Sequence, residues 1–210
     1  EGDYSQLEFR VAGFLSKDET IYKEVTDGFD VHSYTASVMG VSRQEAKSHT
    51  FKPLYGGILG TDKQMRYYSA FKEKYSEITQ WHEDLQNEAV STKKVVLPSG
   101  REYAFKFAKF TSRGTATNAT AIKNYPVQGF ATADLLPLAL IKLQSLLINT
   151  VNDSHVMYVH PQEKEQMVDL MKECMLCISE ECKVRYDLVF DMPIDIELKI
   201  GRDWLNLEEI

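Results

Sequence analysis

Long apolar runs, a basic leader, abundant cysteine and surplus positive charge are all missing from this 210-residue sequence. Its longest greasy stretch, Leu135 to Ile148, is interrupted by Pro137, Lys142 and Gln144, which leaves it too short and too polar to cross a bilayer. The start is acidic with no apolar core behind it, so no signal peptide is expected. Three cysteines, Cys174, Cys177 and Cys182, sit close together, but no fourth zinc ligand lies nearby; buried thiols in a reducing compartment fit better. A net charge of −7 argues against a protein held on nucleic acid by global charge, so any basic contact surface has to be local. Lys93, Lys94, Arg101, Lys106, Lys109 and Arg113, interleaved with Tyr103, Phe105, Phe107 and Phe110, are candidates; a solvated hairpin face fits them equally. No internal repeat or low-complexity segment is evident. The 43% hydrophobic share is that of a globular protein with one core or two small lobes.

What is present is concentrated in residues 43–56. Arg43, Lys47, Phe51 and Tyr55 recur every four residues, which on a helix aligns two cations and two aromatic rings along one stripe. A core face would not carry the cations, and a purely solvated face would not carry the rings. Arg forks onto phosphate oxygens, Lys adds a compact charge, and an aromatic face stacks on a base. Taken alone, the stripe is equally that of an ordinary amphipathic helix. Two further segments, Asp3-Tyr-Ser-Gln-Leu-Glu8-Phe-Arg10 and Val151-Asn-Asp153-Ser-His-Val-Met-Tyr-Val159, each set an aspartate in a stretch that reads as a strand. Two such aspartates side by side would hold a pair of magnesium ions about 3.5–4 Å apart, the arrangement that stabilises phosphoryl transfer.

These three segments resemble motifs A, B and C of the family A DNA polymerases, and they occur in that family's order. Asn124-Tyr-Pro126-Val-Gln128-Gly129-Phe-Ala131-Thr-Ala-Asp134 resembles a further signature between B and C, and Lys199-Ile-Gly201-Arg-Asp-Trp204 resembles the closing Gly-x-x-Trp. The similarity spans essentially the whole sequence, and Phe51-Lys-Pro-Leu-Tyr-Gly-Gly57 looks more phage-like than bacterial. The resemblance implies an α+β fold: a palm made of an antiparallel sheet backed by helices, with a mainly helical fingers subdomain inserted. The thumb and exonuclease domain are expected to be absent. The implied segments are palm over 1–17, fingers over 18–118 and palm over 119–210. Within them lie a motif B helix at about 42–57, a hairpin at about 94–107 and motif C at about 151–155.

The resemblance also implies roles. Asp3 and Asp153, with the backbone carbonyl of Tyr4, would hold two Mg2+ ions. Arg43 and Lys47 would clamp the triphosphate of a dNTP. Phe51 would pack on its sugar, Tyr55 would sit by the templating base, and Glu8 would lie beside the sugar 2′ carbon. Gln128, Asn124, Asn152 and Arg10 would face primer–template DNA, with Arg10 the most structural of them. The implied activity is template-directed addition of dNTPs to a primer 3′ end, in the cytoplasm or, for a phage-encoded chain, the host cytoplasm. Because the sequence begins with Glu1 inside a strand, a thumb-bearing N-terminal portion or a partner chain is expected to complete it. Three departures matter. Motif C reads Asn152-Asp153-Ser154 where the family has His-Asp-Glu. Thr120 stands where an arginine is usual, and Lys52 where a glycine is. The alternative is a non-catalytic polymerase remnant or split half that binds DNA or a partner.

From patterning alone, helices are expected over 20–25, 31–39, 64–88, 131–148 and 162–180, and a final strand over 194–199. Met167, Leu170, Met171 and Cys174 are expected to face inward. Ser42 with Glu45 forms a capping box, Pro53 kinks the motif B helix, and Gly56-Gly57 loosens it.

Overall fold

The computed structural model of the chain describes residues 1–142 and 147–210. In chain order it runs β1 (Gly2–Tyr4), α1 (Leu7–Ser16), α2 (Glu19–Thr26), α3 (Val31–Met39), α4 (Arg43–Leu54), α5 (Asp62–Lys74) and α6 (Ser76–Thr92). A hairpin of β2 (Lys94–Val96) and β3 (Glu102–Ala104) follows, then α7 (Ala119–Gln128), a π-helical stretch (Gly129–Leu135) and α8 (Leu136–Lys142). The chain closes with β4 (Leu147–Val151), β5 (Ser154–Met157), α9 (Lys164–Leu176), α10 (Ile178–Tyr186), β6 (Ile196–Gly201) and β7 (Leu207–Glu209). The fold is α+β, as the sequence implies. It divides into two compact units, Glu1–Leu7 with Gly129–Ile210, and Glu8–Gln128. Nearly all of α1 and the whole of α7, placed with the palm in the sequence reading, cluster here with the helical unit.

The sheet unit carries five antiparallel strands in the order β4-β5-β1-β6-β7. β1 is central: Asp3 lies opposite Ser154 on β5 and Glu197 on β6. Gly2 has no Cβ because the thioethers of Met171 and Met175 on α9 press against it. The buried Tyr4 donates its hydroxyl to the Met175 carbonyl at 2.9 Å, tying β1 to α9. Phe130 and Phe190 pack against each other in the same core. The helix expected over 131–148 is replaced by π-helix and α8, and Leu147 and Ile148 begin β4. Residues 143–146, within that expected helix, lie outside the described residues. The 162–180 helix is two, parted at Cys177. Met171 and Cys174 are buried as expected, but Leu170 faces solvent.

In the helical unit, α3, α4 and α5 are joined by a buried polar chain. His32 Nδ1 meets Thr50 Oγ1 at 3.2 Å, Thr50 donates to Thr35 at 2.9 Å, and Thr35 meets the Tyr67 hydroxyl at 2.6 Å. Buried hydroxyls satisfied in this way fix one packing of the three helices. The expected 64–88 helix breaks at Tyr75, whose backbone leaves helical geometry while its ring packs on Phe71 and Phe9. Neither proline nor glycine marks that break. Its hydroxyl donates to Glu24 at 2.7 Å.

α4 shows why its end is sharp. Ser42 accepts the Glu45 N–H at 3.2 Å, one half of the expected capping box; the two-way box is at Thr61 and Gln64 instead. At the other end Gly56 adopts φ +80°, its N–H donates to Pro53 C=O at 2.8 Å, and Gly57 N–H donates to Lys52 C=O at 2.7 Å. That pair of bonds is a Schellman cap, so the two glycines close the helix at Leu54 rather than loosen it. Gly56→Ala is expected to destabilise the chain by about 1–2 kcal/mol, because a Cβ strains the left-handed backbone and collides with Lys123. Urea unfolding reads this directly, and an unchanged midpoint would refute the cap.

A second local device is pH-sensitive. Asp18 caps α2 by accepting the Ile21 N–H at 3.0 Å, and it is buried. Burial pushes its pKa up to about 6 against the lowering effect of that N–H, and the charge of Glu77 adds to the rise. Its folded pKa lies above the unfolded value, so ionisation costs stability above about pH 6, and that cost vanishes below about pH 4. Asn caps as well as Asp. Asp18→Asn should therefore stabilise the chain by about 1–2 kcal/mol at pH 7 and by nothing at pH 4. A gain equal at both pH values would show that charge is not the cause.

Candidate active site

Two groups of side chains carry the chemistry, one in each unit. In the sheet unit, a two-residue turn joins β4 to β5, with Asn152 in the left-handed region at φ 54° and Asp153 after it. Asn tolerates that conformation better than most residues. Tyr4 N–H donates to the Asp153 carbonyl at 3.3 Å, which holds the turn against β1. The Asp3 and Asp153 carboxyls are within hydrogen-bonding reach of each other. Burial, then the charges of Asp153 and Glu197, push Asp3 up to about 6. One Asp3 oxygen, Oδ1, is buried with no hydrogen-bond partner. Two crowded carboxyls with an orphaned oxygen are suited to a cation, which would remove both the repulsion and the missing bond. Among the described residues, no three or more His, Cys, Asp or Glu side chains group as a metal site. The donor set is therefore sparse, which suits magnesium completed by water and substrate oxygens. Ser154 lends nothing acidic, and its hydroxyl donates to the Val151 carbonyl at 3.0 Å. The three cysteines are buried and form no disulfide, and among the described residues they belong to no metal-binding cluster.

In the helical unit, α4 buries Ala46, Thr50 and Leu54 and turns Arg43, Lys47, Phe51 and Tyr55 toward its open side. Arg43 Nε donates to Asp30 Oδ2 at 2.8 Å. Burial opposes ionisation of Asp30, but the hydrogen bonds from Arg43 and Ser33 outweigh it and hold its pKa down at about 2. Lys47 is half-buried and makes no hydrogen bond or ion pair with the described residues. Phe51 stacks on Tyr55, with centroids 6.1 Å apart and planes at 21°, and meets the edge of His32 at 5.4 Å. The Tyr55 hydroxyl donates to Glu8 at 2.8 Å. Burial raises the pKa of Glu8, against the hydrogen bonds from Tyr55 and Gln128. Gln128 and Asn124 fall four apart on α7, and Gln128 bonds Glu8. Arg10 is 4% exposed, a structural position. Of the basic hairpin, Lys94 is paired with Glu102, and Lys93 donates to the carbonyls of Val90 and Ala108. Phe105 is core, whereas Phe107 is 89% exposed.

The sequence reading missed Asp30 as the partner of Arg43 and His32 as the support of Phe51. Asp30 had a visible signal, an Asp just before an apolar-periodic helix, which marks an N-cap. Sequence spacing gives no sign of the His32 contact.

The family model described as DNA polymerase family A matches residues 1–206. The thermostable DNA polymerase I of Thermus filiformis is 31% identical over 99% of this chain and 27% of its own length. The DNA polymerase I of Caldicellulosiruptor bescii is 28% identical over 97% of this chain and 26% of its own. The chain thus spans about a quarter of the curated relatives it matches. Among solved structures, the POL domain of Pol1 from M. smegmatis, in complex with DNA primer-template and dNTP, superposes with a TM-score of 0.73 at 19% identity. That match covers 93% of this chain and 38% of the other, and it shows a shared fold. The chain belongs to DNA polymerase family A.

Proposed function

We propose that this chain is the nucleotidyl-transfer core of a DNA-directed DNA polymerase, the sheet unit serving as palm and the helical unit as fingers. The observation that carries this reading is the pair Asp3 and Asp153, crowded together with an unsatisfied oxygen between a central strand and a hairpin turn. Asp3, Asp153 and the Tyr4 carbonyl would hold two Mg2+ ions. Such ions, once bound, supply the positive charge that a primer 3′ oxygen and a leaving pyrophosphate require. The chain's own residues do the rest. Lys47, without a partner among the described residues, receives phosphate oxygens, and Arg43 exchanges Asp30 for them. Phe51, braced by His32 and Tyr55, presents a flat apolar face to the sugar. Glu8, held by Tyr55, fills the space a 2′ hydroxyl would need. Asn124, Gln128 and Asn152 present amides to the primer–template.

Primer extension with Mg2+ and dNTPs tests this, using the chain alone and the chain joined to a thumb-bearing N-terminal portion. Asp153→Ala should reduce extension by about a thousandfold or more without loss of fold. The acidic chain alone should bind primer–template weakly, with affinity falling steeply as salt rises. Tight, processive synthesis by these residues alone would refute the second expectation. Near-normal extension by Asp153→Ala would refute the first. Ser154 in place of an acidic residue favours one other reading, a non-catalytic remnant. That reading gains if neither form of the chain extends a primer.

A further inference from the structure

Within the helical unit, α3 and α5 leave between them an open groove of about 450 Å³, and none of Arg43, Lys47, Phe51 and Tyr55 lines it. Its floor is aromatic. Tyr67, Phe71 and Tyr75 are buried there, and the last two rings meet edge-on at 4.6 Å. The Tyr67 hydroxyl is taken by Thr35, so the groove meets ring carbon. Tyr34 and Val38, one turn apart on α3, form a wall and stay 41% and 43% exposed. The rim is cationic. Lys63, Arg66 and Lys74 of α5 line the groove, and among the described residues no carboxylate does. In a chain of net charge −7 this is a local reversal of sign. Two of the three cations are pinned. Lys63 Nζ donates to the Met39 carbonyl at 2.7 Å, at the end of α3. Lys74 Nζ pairs with Glu24 at 2.6 Å and stands over the rings of Phe29, Tyr34 and Tyr75, at 4.5, 4.6 and 5.0 Å from their centroids. Arg66 is exposed and makes no hydrogen bond or ion pair with the described residues. Glu24 offsets Lys74, so the unmatched charge is that of Lys63 and Arg66.

We propose that this groove docks an acidic amphipathic helix of a partner protein. The spacing of the rim carries the argument. Lys63, Arg66, Ala70 and Lys74 fall three, four and four residues apart, so they form one stripe along α5. That stripe is about 16 Å long, some three turns of helix. A helix laid beside it presents carboxylates at the same spacing, in the manner of flanking charges along a helix pair. Its apolar residues, at i, i+3 and i+4, then enter the cup between Tyr34 and Val38 on one side and Tyr67 and Phe71 on the other. A compact anion would meet one cation and leave the row unused. Ala70 is the small residue that keeps the cup open, and a longer side chain there would fill it. Pinning Lys63 and Lys74 in advance lowers the entropy lost on docking. A groove of this size suits a transient contact, formed faster at low salt. The site is separate from the proposed nucleotidyl transfer and does not rest on it.

The test uses a labelled, end-capped peptide, Glu-Leu-Ala-Glu-Leu-Leu-Ala-Glu-Leu-Ala-Ala-Glu, which sets its glutamates along one flank of an apolar face. Fluorescence anisotropy reads its binding to the chain, and circular dichroism confirms that each variant is folded. Binding should be saturable. It should weaken by about tenfold or more with Arg66→Glu, which reverses the unpaired cation, and with Ala70→Leu, which fills the cup and leaves the charge alone. Peptides with serine for leucine, or glutamine for glutamate, should lose as much. The double variant Lys63→Glu with Arg66→Glu should reverse the preference and bind a peptide with lysine for glutamate more tightly than the original. No saturable binding, binding unmoved by Ala70→Leu, or equal binding of the serine peptide overturns the proposal. So does a parent chain that self-associates through this face, shown by sedimentation and abolished by Ala70→Leu. Polymerase activity is not read, so a negative result leaves the reading of Asp3 and Asp153 where it stands.

Discussion

Replacing Asp3 with Asn is expected to abolish nucleotide addition and, at the same time, to raise the unfolding temperature at pH 7 in the absence of metal. The two effects share one cause. Burial and the neighbouring charges of Asp153 and Glu197 push Asp3 up from 3.8 to about 6, so its ionised form is the strained form. With the folded pKa above the unfolded one, the cost is full above about pH 6 and gone below about pH 4. The parent chain should gain stability as pH falls through that window, and Asp3→Asn should respond less. A shift of this size corresponds to about 3 kcal/mol at most, and the half-exposed position of Asp3 brings the expectation to about 1–2 kcal/mol. Added Mg2+ should reverse the order, stabilising the parent by mass action and leaving the variant unmoved. Calorimetry at pH 7 and pH 4, with and without Mg2+, decides. A variant no more stable than its parent at pH 7, or one that responds equally to Mg2+, removes the carboxylate pair from the proposed site.

Phe51→Tyr should change which nucleotides are used and leave the fold alone. The ring is already held on two sides, stacked on Tyr55 and edge-on to His32, so a hydroxyl at its far end need not disturb α4. A phenylalanine on the sugar offers nothing to replace the hydrogen bond that a nucleotide's own 3′ hydroxyl supplies. The parent should therefore discriminate against dideoxynucleotides. A tyrosine hydroxyl fills that gap, and one recovered bond in a dry site contributes about 1–3 kcal/mol, roughly 5- to 150-fold. The ratio of dNTP to ddNTP incorporation efficiency should fall by tens-fold with dNTP use little changed. An unmoved ratio means that Phe51 does not meet the sugar.

What could be read beforehand follows from how local each cause is. Asp3 was expected in a strand and lies in β1, whereas Asp153, expected in a strand too, lies in the turn between β4 and β5; the metal-binding role given to both came from the motif resemblance, not from local patterning. Ser42 was legible because capping chemistry acts within a few residues, whereas Asp30, which caps the 31–39 helix in the same way, was overlooked. The break at Tyr75 did not show, because its cause is a ring wedged against Phe71 and Phe9, a tertiary demand that overrides helical periodicity. Leu147 and Ile148 misled for a related reason: an apolar run fits helix and strand equally until a partner strand claims it. Gly56 and Gly57 were judged by flexibility, when Gly56 is used for its left-handed backbone and Gly57 for the second bond of the cap. The bond from Arg43 to Asp30 joins residues thirteen apart, a pairing that helical spacing does not encode.

The three cysteines have a use that has nothing to do with catalysis. Cys174, Cys177 and Cys182 all lie in the sheet unit, all buried, and all unbridged. Burial, with the nearby charges of Asp134, Cys177 and Glu181, pushes the Cys182 thiol up to about 12, so in the folded state almost none of it is the reactive thiolate. A thiol-specific reagent therefore waits for that unit to open. The helical unit, Glu8–Gln128, contains no cysteine and contributes no signal of its own. Labelling rates thus clock the breathing of one half of the molecule against a silent other half, using only residues the chain already has.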